Sequence, residues 1–172
     1  MPFTPMHLGF GIFLFSILPF LDPIALLIGT VIIDLEPIFY LITGIGSMHG
    51  IMHSTLGVIV FFIPASIISW LCYRFLKLDK YLPKYNIYLS LISGIIGLFS
   101  HVFFDAILYP EIMFFYPFSQ INGILYNIMS KRTDYLILGI MFIVGFLILG
   151  IRYYLKYAKK KKAEENLDLV RR

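Results

Sequence analysis

Seven imidazole or carboxylate side chains of this 172-residue chain, His7, Asp34, Glu36, His49, His53, His101 and Asp105, stand in or beside stretches that are otherwise apolar. All four histidines are among them. His49 and His53 lie four residues apart in GSMHGIMHST, and His101 and Asp105 repeat that interval in SHVFFDAILYP. On a helix this spacing puts two side chains on one face, where they can chelate one ion. With Asp34 they form a mixed imidazole and carboxylate set, suited to a divalent metal such as zinc, with manganese or iron as alternatives, rather than to a thiolate-preferring ion. Glu36 follows Asp34 by two residues, so on an unbroken helix the two diverge by roughly 200 degrees. It joins the site only if Pro37 loosens the helix, and otherwise supports a ligand, acts as a general base or meets another helix. Asp34 and Glu36 are the expected catalytic carboxylates. Six or seven candidate ligands exceed the three or four of a single zinc site, which leaves room for one or two ions.

The elements that must position these groups read as membrane helices. The chain is 59% hydrophobic and 14% charged, with a mean hydropathy of +0.86, far from the usual soluble balance. The expected fold class is an all-α integral membrane protein, a bundle of about five transmembrane helices. The first, from about Met6 to Phe20, is short or partly re-entrant and stops at PFLDP. The second runs from Pro23 to about Ile42 behind an Asp22 N-cap, the third from about His49 to Leu76 with a kink at Pro64, the fourth from Ile87 to about Leu108 and the fifth from Tyr135 to about Tyr157. Residues 1–157 form one transmembrane domain, and 158–172 form a flexible basic tail. MPFTPMHLGF lacks a basic region and a cleavage site, so it is not read as a removable signal. The single Cys72 excludes an intrachain disulfide and serves as a packing residue.

Lysine and arginine counts orient the bundle. The connection carrying Arg74, Lys77, Lys80 and Lys84 against Asp79 should be cytoplasmic, as should the tail with Lys159 to Lys162. This multi-pass chain in the cell membrane then has its N-terminus outside and its C-terminus inside. His7, His49 and His53 open helices that start outside, while Asp34 and Glu36 lie roughly 18 to 21 Å, and His101 and Asp105 roughly 21 to 27 Å, along helices that start inside. All seven groups therefore share one layer in the outer half of the membrane. A single interfacial histidine is usually just solvated or hydrogen-bonded, and Asp34 alone could bond a neighbouring helix. Seven such groups at one depth favour a shared metal or proton site.

At these residues the chain resembles the membrane-bound metal-dependent hydrolase family, the YdjM-like group of small bacterial and archaeal integral membrane proteins. The resemblance covers Met1 to about Pro117 in four ordered blocks: MPFTPMHLGFG with His7, IIDLEP with Asp34 and Glu36, HGIMHST with His49, His53 and Ser54, and SHVFFDAILYP with His101 and Asp105. Many relatives carry arginine where this chain has Gly50, so any anion bound by that arginine must be met differently here. The resemblance implies hydrolysis, with a metal-activated water attacking a phosphorus or carbonyl centre. The depth of the layer points to membrane lipid as partner and to a lipid or lipid-linked substrate, a phosphoester rather than an acyl bond. Lys131 and Arg132 could meet its phosphate, although interfacial snorkelling explains them more simply. No nucleic-acid partner is expected, because the basic tail marks the end of a last helix. The rival readings are an ion or proton-coupled transporter or channel, and a structural membrane protein whose polar layer binds helices together.

Overall fold

The computed structural model describes residues 6–83 and 85–170, and among them it is all helical, without strands. Met1 to Pro5, Lys84, Arg171 and Arg172 lie outside the described residues. Helix α1 spans His7–Ile17, and its 11 residues are too few to cross a bilayer alone. After the turn at Pro19, the Asp22 carboxylate accepts from the N–H groups of Ile24 and Ala25 at 2.9 and 3.2 Å, and Pro23 occupies the first position of α2, Pro23–Gly29. A 3-10 turn, Ile32–Asp34, then leads into α3, Leu35–Thr43. Helix α4 spans Thr55–Leu76, α5 spans Ile87–Leu108 and α6 spans Lys131–Val170. Four stretches are long and apolar enough to cross a membrane: the broken Pro23–Thr43, then α4, α5 and α6.

Three expectations change. The second apolar segment is not one helix. Pro37 has no N–H to give to Ile33, and Gly29 packs so tightly against α5 that a Cβ there would lie 2.6 Å from the Gly94 carbonyl. The chain turns between these two constraints, and Pro37 falls in the first turn of α3, where the missing donor costs nothing. The third helix begins at Thr55, not His49, because the Ser54 hydroxyl caps it by accepting from Leu56 N–H at 3.2 Å. The last helix does not end near Tyr157, for α6 continues through the lysine run.

Helix α5 is the central post. It packs against α2 and α4, and most of its second half is buried. At Gly97 a side chain would overlap the Leu26 carbonyl and lie 3.0 Å from Thr30 N, so this glycine lets α2 approach to backbone contact. Helix α1 packs chiefly on α6 and runs parallel to it, and Arg152 closes the pair by donating to the Ser16 carbonyl at 2.9 Å. The loop after α5 folds back over the start of α4, where its Phe114 and Tyr116 carbonyls accept from Thr55 and Leu56 N–H at 2.9 and 3.0 Å. Buried Ile33, Leu98, Val102, Ala106, Ile112 and Phe114 form the apolar floor beneath the polar residues.

Candidate metal centre

Each polar group reaches the centre for a local reason. His101 and Asp105 stand one turn apart on the uninterrupted, buried part of α5. Asp34 ends the 3-10 turn, so it is delivered by the break between α2 and α3. His53 comes from the loop between α3 and α4, two residues before α4 begins. One ligand atom from each of Asp34, His53, His101 and Asp105 lies within 4.8 Å of the others, and all four residues are buried. His101 Nε2 is 3.4 Å from Asp34 Oδ1 and 3.2 Å from Asp105 Oδ2, while His53 Nε2 is 3.9 and 3.7 Å from the same two atoms.

The His101 separations match a small divalent ion, and those of His53 are slightly wider than one requires. With bonds of roughly 2.0 to 2.2 Å, the edges of a tetrahedron measure about 3.3 to 3.6 Å. The proton positions point the same way. His101 Nδ1 lies 2.7 Å from the Thr30 carbonyl, an oxygen that can only accept, so Nδ1 carries the proton and Nε2 turns a lone pair to the centre. His53 Nδ1 donates to Glu36 Oε2 at 2.7 Å, which fixes the same tautomer. Both Nε2 atoms are buried without a hydrogen-bond partner among the described residues. Two imidazole lone pairs facing two carboxylates leave a concentrated negative potential that a cation or added protons must balance. For His53, which lies outside the spanning helices, burial pulls the pKa down, but the neighbouring carboxylates of Asp34 and Glu36 outweigh it and hold the pKa above its ordinary value.

Glu36 does not enter the four-residue group. The break before Pro37 turns it toward the loop, where Oε2 also accepts from Gly50 N–H at 3.0 Å and Oε1 from Met52 N–H at 3.3 Å. One carboxylate thus holds both the loop and the ring of His53. Gly50 is packed into this arrangement, since a Cβ there would overlap Glu36 Oε1 and lie 2.7 Å from Ser47 Oγ. His49 and His53 do not share a helical face. Their rings meet edge to face at 5.0 Å, but His49 Nδ1 bonds to Glu111 Oε1 at 2.9 Å and its ring lies 4.0 Å from that of Tyr109. His7 borders the centre on the opposite side, with Nε2 3.3 Å from Asp105 Oδ1 and its ring stacked on His101 at 4.2 Å. The seven residues singled out in the sequence are thereby contiguous, with four converging and three around them.

Sequence reasoning missed three neighbours. By sequence alone Glu111 and Asp134 balance Lys131 and Arg132 in the loop after α5, yet Glu111 pairs with His49 and Asp134 is fully buried. Neither oxygen of Asp134 has a hydrogen-bond partner among the described residues. Its position four residues before the apolar Leu138, on one face of a helical segment, was the available signal. The Thr30 carbonyl had none, because any residue could supply it. Lys131 lies with its Nζ 5.6 Å from the Tyr109 ring centre, beside this cluster. The family model described as YdjM inner membrane protein matches residues 2–166, nearly the whole chain. No curated protein and no solved structure matches it.

Proposed function

This chain belongs to the family of YdjM inner membrane proteins, and we propose that it works in the membrane as a metal-dependent hydrolase of a lipid or lipid-linked phosphoester. Asp34, His53, His101 and Asp105 hold one divalent cation, zinc in the first instance, toward the outer leaflet. The observation that carries this reading is the convergence of four buried ligand atoms from separate parts of the chain, with both histidine tautomers already set. When bound, the ion supplies a Lewis acid that makes water acidic and stabilises negative charge developing on the substrate.

The remaining steps belong to the protein. Thr30 and Glu36 keep His101 and His53 in their ligating tautomers, so Glu36 serves as a positioning residue rather than the general base. Its oxygens are occupied by Gly50, Met52 and His53. His49 is the group placed to move a proton, because it stands outside the ligand set, against His53, and is bonded to a half-exposed Glu111. His7 holds Asp105 from behind. Lys131, beside Tyr109 at the same end of the bundle, is available to a substrate phosphate. A transport path finds less support: the residues of α5 between Ser90 and Ser100 include no ionisable side chain, so the polar layer has no continuation through the central helix.

The test is elemental analysis of the purified protein together with activity on a panel of lipid phosphoesters. Parent protein should carry about one metal per chain, and His53→Ala and Asp105→Ala should lose it. His49→Ala should keep the metal and lose turnover. A parent free of metal, or variants that retain it, would sink the site; metal without turnover on any phosphoester would sink the hydrolase reading alone.

A further inference from the structure

A second polar feature lies at the opposite end of the bundle and plays no part in the metal centre. There a cavity of about 500 Å³ is bounded by the last turn of α4, the turn that follows it and the starts of α2 and α5. Its walls include Trp70, Tyr73, Arg74, Lys77, Asp79 and the floor residue Asp22. Ser90, also in the lining, precedes Asp105 on α5 by 15 residues, so the two features are roughly 22 Å apart along that helix.

The chemistry of the walls is selective. The Asp22 carboxylate is already satisfied by four donors, two backbone N–H groups and the hydroxyls of Ser69 and Ser90 at 2.7 and 2.6 Å, so its oxygens shape the floor and leave Arg74 and Lys77 unpaired among the described residues. The guanidinium of Arg74 lies over the Trp70 ring, 5.4 Å from its centre, which leaves the N–H edges of the plane available. The lysine–carboxylate pairs among the described residues lie in the tail, so Lys77 is uncommitted too. Tyr73 has a buried hydroxyl with no hydrogen-bond partner among the described residues. Arg74 and Lys77 against Asp79 and Asp22 leave the lining with no net formal charge, so the free N–H donors of Arg74 and Lys77 suit a singly charged phosphodiester better than a doubly charged monoester. Trp70 and Ile87 on the same wall are half exposed. In a bilayer such side chains face acyl chains just beneath the headgroups, and Trp favours that depth.

We propose that this cavity binds the phosphodiester headgroup of a membrane phospholipid, held by Arg74, Lys77 and the Tyr73 hydroxyl, with the acyl chains leaving past Trp70 and Ile87. The site is independent of the metal centre. Native mass spectrometry of the full chain in maltoside detergent tests it, because that detergent carries no phosphate. Phosphatidylglycerol should give a discrete one-lipid adduct on the parent. Arg74→Gln with Lys77→Gln should weaken it about tenfold, and Tyr73→Phe severalfold. Lys156→Gln with Lys159→Gln, which removes two charges from α6, should leave it unchanged. Should the double variant at 74 and 77 fail to stay monodisperse, Tyr73→Phe decides the matter. Equal binding of diacylglycerol would show that only acyl chains are recognised, and equal binding of inorganic phosphate would assign the site to a soluble anion. Either result, or undiminished binding in the variants, overturns the proposal.

Discussion

Glu36 accepts from two backbone N–H groups and from His53 Nδ1, so a single carboxylate sets both the shape of the loop and the direction of a ligand's lone pair. Glu36→Gln should therefore lower metal affinity by roughly 10- to 100-fold without abolishing it, as measured by competition with a chelator. Gly50→Ala pushes on the same carboxylate and should act in the same direction. The double variant should lose less than the sum of the two, since both changes act through one contact. Acid should strip the metal. Ligating nitrogens must be unprotonated, and the raised pKa of His53 means that protons compete from above its ordinary value of 6.5. Apparent metal affinity, read by chelator competition at a series of pH values, should fall as pH drops through that region; an affinity that stays flat down to pH ~5 would contradict it. His101 and Asp105 were legible in the sequence because the helix that carries them is unbroken. His53 was singled out for a helical spacing it does not have, and His49 turned instead to Glu111, a partner 62 residues away that no local pattern could reveal.

At the scale of elements, the break between α2 and α3 matters most. It presents Asp34 to the centre and frees the Thr30 carbonyl for His101. Pro37 made an interruption readable in advance. The capture of Thr30 by a residue 71 positions away was not readable, because it depends on α2 and α5 meeting at backbone distance. Gly97→Val should wedge that contact apart, costing about 1 to 3 kcal/mol, and should lower the thermal midpoint and the metal content together. A variant with a reduced midpoint and full metal content would show that the two helices need not touch for His101 to ligate. Long apolar helices were legible from composition, whereas the folding of the loop after α5 over the start of α4 rests on backbone hydrogen bonds that carry no residue signature.

For the whole molecule, the expected orientation follows from lysine and arginine counts, and it can be checked directly. In a Cys72→Ser background, Phe118→Cys should react with an impermeant thiol reagent from outside and Tyr81→Cys only after permeabilisation. The reverse pattern would place the candidate metal centre in the inner leaflet while leaving its geometry untouched. The division of the chain near residue 157 can also be sharpened. Helix α6 is joined to the bundle chiefly through α1, and the hydrogen bond from Arg152 to Ser16 comes at the end of α1. Beyond it α1 has no further turn to offer, and residues 151–166 are exposed throughout. Those 16 residues extend roughly 24 Å as a rod with open sides. A chain ending after Tyr157 should accordingly keep its metal stoichiometry and thermal midpoint, so the extension can carry a tag or an immobilising surface without reaching the chemistry, as a handle is separate from a blade.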